Sequence, residues 1–176
     1  MIEFKYTNTM KEYIDGYKLM IKLRKVYFVI FNILPIVLGL ISVIAIAYSF
    51  EILFKYISLG IFSIQIFLPI LIFSFLLYEL FTLKKRFLRS VEKKLKAKPN
   101  IFKELTLNIE DNKFLCNQEG NRTEILFSQI YKFIEYNDVI YIFGDGYLIF
   151  LIIPSNVFKN SEEKNKLLKI IEGFNT

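Results

Sequence analysis

The side chains able to do chemistry in this chain are few and scattered. Glu110, Asp111 and Asp138 are carboxylates of the kind used in acid–base catalysis. Each falls at a turn-like position, where acids are ordinary, and no pair is held at a spacing that proton transfer would demand. The 176 residues include no histidine and one cysteine, Cys116. A histidine-based metal site, a catalytic triad and an intrachain disulfide are therefore excluded by count. Cys116 alternates with polar neighbours in a strand-like stretch and reads as a small packed residue, with a reactive thiol as the alternative. Gly144-Asp145-Gly146 has the glycines of a phosphate cradle, yet two glycines at a hairpin tip need no ligand to explain them. The expectation is a protein that is not an enzyme and carries no cofactor.

Basic residues are the other chemical resource. Residues 79–98 carry eight basic and two acidic groups, residues 1–25 six and three, and residues 99–176 eight and eleven. The net charge of +6 thus sits in two segments, and the C-terminal part is mildly acidic, which argues against a nucleic-acid surface. Lys84, Lys85, Arg86, Arg89, Lys93 and Lys94 are candidates for binding anionic lipid headgroups, worth about 1 kcal/mol per basic residue at a membrane surface. A solvated helix joining two parts of the protein explains the same residues, and the two roles are compatible.

What positions these groups is a pair of apolar runs. Val26–Phe50 is 25 residues without a formal charge and Tyr56–Tyr78 is 23, with Glu51-Ile-Leu-Phe-Lys55 between them. At about 1.5 Å per residue either run spans a hydrocarbon core of about 30 Å. The spacing predicts a transmembrane hairpin with 51–55 as a short extracytoplasmic connector. The basic flanks place both termini in the cytoplasm by the positive-inside rule. Ala45-Ile46-Ala47 resembles a cleavage box, but the run is too long and starts too late for a signal peptide. Folding the hairpin about Leu53 sets Asn32 opposite Ser74 and Ser42 opposite Gln65, each able to share an interhelical hydrogen bond. It also sets Pro35 level with Pro69, predicting a bend in both helices at one depth. A homo-oligomer enclosing a polar path stays open.

Outside the hairpin, Ile2–Thr7 alternates like a strand, and Thr9-x-x-Glu12 has capping-box spacing ahead of an amphipathic helix bearing Tyr13, Ile14, Tyr17, Met20 and Ile21. With no glycine or proline in Leu23–Val29, that helix is expected to run unbroken into the membrane. Leu80, Leu83, Phe87, Val91 and Leu95 stripe a basic cytoplasmic helix over 79–98, ended by Pro99-Asn100. Residues 101–153 read as about six short antiparallel strands, with turns at Asp111-Asn112, Glu119-Gly120-Asn121, Asn137-Asp138 and Gly144-Asp145-Gly146. The wholly apolar Tyr147–Ile153 reads as a strand that is central or covered on both faces. Ser161 is the expected cap of a final helix buried through Leu167, Leu168, Ile171 and Phe174. Ile2–Thr7 is a candidate seventh strand. Tyr136, Tyr141 and Tyr147 are candidates for an exposed aromatic partner surface.

This pattern resembles the YcxB-like family of bacterial membrane proteins. The resemblance rests on Ile125-Leu126-Phe127-Ser128-Gln129-Ile130-Tyr131-Lys132, Asp138-Val139-Ile140-Tyr141-Ile142, Ile153-Pro154-Ser155-Asn156-Val157-Phe158 and Ser161-Glu162-Glu163. Phe127 stands where the family commonly has tryptophan, which keeps the packing role and loses an indole donor. The resemblance implies an α+β domain, a pleckstrin-homology-like antiparallel roll with a C-terminal helix over 99–176, in the bacterial inner membrane. Phe127, Ile130, Pro154 and Phe158 are structural on this reading. The expected function is a membrane-anchored adaptor or regulator whose domain binds a protein partner or lipid headgroups. The alternative is self-immunity or resistance to a membrane-active peptide toxin, tested by whether expression protects a sensitive strain.

Overall fold

The computed structural model describes residues 2–60, 67–110 and 112–173. They divide into two compact units, one made of the chain up to Arg24 together with the chain from Ser90 on, the other of Lys25–Arg89.

The first unit is α+β. β1 (Ile2–Tyr6), β2 (Leu105–Ile109), β3 (Lys113–Gln118) and β4 (Asn121–Leu126) form one antiparallel sheet in that order. β5 (Ile130–Tyr136), β6 (Val139–Gly144) and β7 (Ile149–Pro154) form a second. β1 joins the sheet across about a hundred residues of sequence, with Phe4 opposite Leu107 and Tyr6 opposite Leu105. Period-two alternation puts Phe4, Leu107, Phe114 and Ile125 of the first sheet into one core with Ile140, Ile142, Leu151 and Ile153 of the second. Leu167 and Ile171 of α5 (Ser161–Gly173) complete it. Phe174 lies outside the described residues. The cap of α5 is Asn160 rather than Ser161, because the Asn160 carboxamide oxygen accepts from the Glu163 N–H at 2.8 Å. The Asn137-Asp138 turn has both residues at positive φ, as a two-residue hairpin turn requires.

α1 (Met10–Leu23) opens on the capping box, in which Thr9 Oγ1 accepts from the Glu12 N–H and Glu12 accepts from the Thr9 N–H. Its buried side is Asp15, Gly16, Leu19, Met20 and Ile21, rotated from the expected stripe, since Tyr13, Ile14 and Tyr17 are only half-buried. Gly16 is the reason. A β-carbon there would stand 2.9 Å from Ile149 Cδ1 and 3.1 Å from the Tyr141 ring, so its absence lets the helix lie close on the second sheet. That sheet is therefore covered on both faces, which explains the apolar run of β7; in order it is an edge strand, and β6 is the central one. The helix does not run on unbroken. Arg24 is extended (φ −78°, ψ 110°) and ends it.

The second unit begins with α2 (Lys25–Phe28), a π-helical turn at Val29–Ile33, and α3 (Leu34–Ser58). The π turn precedes Pro35, which lacks an N–H and whose ring would clash with the carbonyl of Phe31 in a regular helix; widening the turn absorbs both. Pro69 instead sits in the first turn of α4 (Leu68–Lys96), where a missing N–H costs nothing, so the expected matched bends do not occur. Residues 51–55 are helical, not a connector. One charge at each end of 51–55 does not stop a helix, whereas Gly60, at φ 70°, does. Lys25–Ser58 is 34 residues with a mean hydropathy of 2.7 over its most apolar window, only 17% of which is buried. It is one helix long and apolar enough to cross a membrane.

Candidate functional site

Among the polar residues of the second unit, Asn32 does not meet Ser74, which is exposed. The Asn32 carboxamide donates to the Phe28 carbonyl at 3.1 Å and accepts from Lys84 Nζ at 3.2 Å. Gly39 likewise faces Leu77. Residue numbers 32 with 84 and 39 with 77 both sum to 116, which centres the antiparallel pair on residue 58 rather than 53. The shift follows from the helical continuation through 51–55. Ser42 is buried and Gln65 lies outside the described residues. Tyr27, Phe31 and Phe87 cluster nearby, with Phe31 and Phe87 centroids 5.0 Å apart.

The six headgroup candidates divide accordingly. Lys84 is half-buried and committed to Asn32. Arg86 forks onto Glu79, with one bond at 2.8 Å, and lies over the Tyr78 ring at 5.8 Å. Lys85, Arg89, Lys93 and Lys94 are exposed and form no ion pair among the described residues. Lys85, Arg89 and Lys93 stand four residues apart, one stripe of α4 opposite the side that buries Val91 and Leu95. A stripe of unneutralised cations on a helix that continues an apolar segment can hold phosphate groups electrostatically.

The three tyrosines also divide. Tyr141 is fully buried beneath α1, and its hydroxyl donates to the Glu12 carbonyl at 3.1 Å. It is no partner surface. Burial, with Asp15 nearby, raises its phenol well above the ordinary range. Asp15 itself is buried and held by Lys18 at 2.7 Å and by the Asn137 amide at 3.4 Å. Tyr136 is 43% exposed at the β5–β6 turn. Tyr147 is half-exposed and meets Tyr131 edge to face, the ring centroids 5.0 Å apart; a hydrogen bond with Tyr131 raises its phenol. Tyr131, 57% exposed, is a surface residue that alternation did not single out, and the Ile130/Lys132 register shift is why.

Of the acidic groups, Asp138 is exposed in its turn, Glu110 is near Lys113 at 3.5 Å, and Asp111 lies outside the described residues. Cys116 is buried in the core, its thiol pushed up to about 11 by desolvation, as a packed residue rather than a nucleophile. Asp145 spends its carboxylate on the Gly146 N–H at 2.7 Å, inside the β6–β7 turn.

An α+β domain with one candidate membrane-spanning helix is the class these observations define. Residues 109–171, from the end of β2 into α5, match the model of the family described as YcxB-like protein, to which this part of the chain is similar. No curated protein and no solved structure matches the chain. Phe127 and Ile130 of the resemblance are buried, and Phe158 packs edge-on against Phe4 at 5.1 Å, as structural residues do.

Proposed function

We propose that the chain is a two-span protein of the bacterial inner membrane with both termini cytoplasmic, and that its pleckstrin-homology-like domain acts as a non-enzymatic adaptor or regulator. One observation carries the topology. β1 precedes the apolar segment and β2 follows it, yet the two strands pair. If Lys25–Ser58 crosses the bilayer, the chain must cross back before β2, because one sheet cannot form from strands on opposite sides. Six basic residues before the apolar segment and eight after it favour the cytoplasmic side. A four-stranded and a three-stranded sheet closed by a C-terminal helix support the roll, and a roll offers surfaces and edges to partners rather than a catalytic centre. The Lys85–Arg89–Lys93 stripe supports anionic lipid as one ligand.

The test is a pair of reporters in the full chain. Green fluorescent protein at the C-terminus should fluoresce, and alkaline phosphatase placed after Gly60 should be active. Phosphatase activity from a C-terminal fusion would overturn the topology. Replacing Lys85, Arg89 and Lys93 with glutamine should then reduce crosslinking of the reconstituted chain to photoactivatable phosphatidylglycerol; unchanged crosslinking would remove the lipid role.

A further inference from the structure

The first sheet ends in an open strand, β4. Phe127, just past it, donates its N–H at 2.9 Å to the carbonyl of Asn112, just before β3. The register between the two strands runs without a shift from Lys113 opposite Leu126 to Gln118 opposite Asn121. Backbone groups alternate along a strand, so Asn121, Thr123 and Ile125 turn theirs to β3, while Arg122, Glu124 and Leu126 turn theirs outward. The Gln129 side chain accepts from the Leu126 N–H at 3.2 Å and closes that end of the edge. Asn121 to Glu124 are all exposed, so neither face of that stretch is covered. What is left is a short edge with one cation and one anion on the same face. The Glu124 carboxylate lies 3.0 Å from Lys113 and 3.4 Å from its own Arg122.

The charges select what can lie along this edge. A second copy running antiparallel about a two-fold axis at Thr123 sets Arg122 opposite Glu124 of the partner subunit, and Glu124 opposite the partner's Arg122. Both pairs have outward backbone groups, so each exchanges its N–H···O bonds, and Thr123 faces its own copy across the axis. An axis at Arg122 or at Glu124 sets like charges face to face, which is destabilising. The far edge of the same sheet is refused as well. The bond from the Glu110 N–H to the Lys113 carbonyl fixes the same alternation through β2, which leaves Glu3 and Lys5 outward on β1. Laid antiparallel with Phe4 opposite Thr123, β1 puts Lys5 against Arg122 and Glu3 against Glu124. Head-to-tail joining of sheets, which does not close, is thereby opposed, and the closed pair is favoured. β1 has the same self-complementary signs, but Ser155–Val157 lies against it, whereas the Arg122–Glu124 stretch is open.

We infer that β4 is a self-association edge: two copies of the chain join antiparallel through Arg122 and Glu124, centred on Thr123, and their first sheets become one. The inference does not depend on the membrane reading above. Cys116 is first replaced by valine, because it lies opposite Thr123 on β3 and would compete for a disulfide. Thr123→Cys and, as reference, Asn121→Cys are then made in the full chain, purified in detergent and oxidised mildly at low ionic strength. In the pair, the two Thr123 Cα atoms stand about 4.5 Å apart, within disulfide range, and the two Asn121 Cα atoms about 14 Å apart. Thr123→Cys should give a disulfide-linked dimer and Asn121→Cys should not. Adding Arg122→Glu or Glu124→Arg to Thr123→Cys should lower the crosslinked fraction about tenfold in each case. Mixing those two reversed chains, one carrying a size tag, should restore it as a mixed dimer, since each then meets the opposite sign. Equal crosslinking from both cysteine variants, or none from either, overturns the inference. So does a Thr123→Cys dimer indifferent to the charge reversals. An adduct of Thr123→Cys formed in intact cells at a mass other than two chains, with none between copies, overturns it in favour of a strand from another protein.

Discussion

The two units of this protein are built inside out relative to each other. In Lys25–Arg89 the buried residues of the long helix α3 are Pro35, Gly39, Ser42 and Leu53, mostly small, while Ile36, Leu40, Ile44 and Tyr48 point outward. In the α+β unit the buried residues are Phe114, Phe127, Ile140, Ile142 and Ile153, and Lys113, Arg122 and Glu124 face out. Water drives large apolar groups inward, by about 25 cal/mol per Å² removed from it. Lipid supplies no such drive between helices, so small residues are used there to let backbones approach. The same alphabet thus gives opposite interiors, as the proposed membrane anchor would require.

The comparison is tested most severely by one kind of substitution made in both units. Phe114→Ala empties a fully buried site that packs against Phe127 at a centroid distance of 4.8 Å, and should cost the domain about 3–5 kcal/mol. Ile44→Ala, at a position 70% exposed, should cost less than about 0.5 kcal/mol. Urea titration of the detergent-solubilised chain, read by protease resistance, compares them; equal losses would break the contrast.

Alkali separates the units next. A thiol raised to about 11 stabilises the domain fully below the unfolded value, near 9, and loses that contribution as pH rises through about 11. The buried phenols of Tyr6 and Tyr141 are raised too and act in the same direction. Domain stability should fall between pH 8 and 11, by roughly 2–3 kcal/mol for Cys116 alone at full titration. Cys116→Val should flatten the slope, and an unchanged slope would place Cys116 outside the core. The seam of α3, built of residues that do not ionise, should keep its helical circular dichroism throughout.

Glycine draws a finer line. Gly144→Ala must displace the Phe150 ring and should cost about 1–3 kcal/mol, recovered in part by adding Phe150→Ala. Gly39→Ala meets Leu77 at an ordinary 3.6 Å and should be neutral or stabilising. Thermal melts of the three variants decide. A modest coupling is expected between Asn32 and Lys84, where a double-mutant cycle with leucine should give about 0.6–1 kcal/mol. A zero coupling there, with coupling between Asn32 and Ser74, would restore the register centred on residue 53.

Much of the α+β unit was legible from alternation and turn chemistry. Asn137-Asp138 and Glu119-Gly120 are turn residues by type, and Leu107 and Ile109 alternate with polar neighbours. Alternation names two faces of a strand, though, and not whether something covers the second one. Tyr141 looked available for that reason, and α1, drawn in by the gap at Gly16, covers it. The bulges at Tyr131 and Phe150 each break the parity from which a face is inferred, so the exposed side of Tyr131 was missed. Glu51 and Lys55 interrupt the uncharged run without interrupting α3. Backbone conformation ends a helix, and Gly60 was the better signal.

The pairing of β1 with β2 also has a consequence for synthesis. Ile2 leaves the ribosome 107 residues ahead of its partner Ile109. At about 5–20 residues per second, β1 and α1 wait roughly 5–20 s while the apolar segment between them and the rest of the sheet is made. During that interval the alternating edge of β1 and the face of α1 meant for the second sheet have nothing of their own chain to cover them. The first sheet therefore closes only after the apolar segment between β1 and β2 has been made.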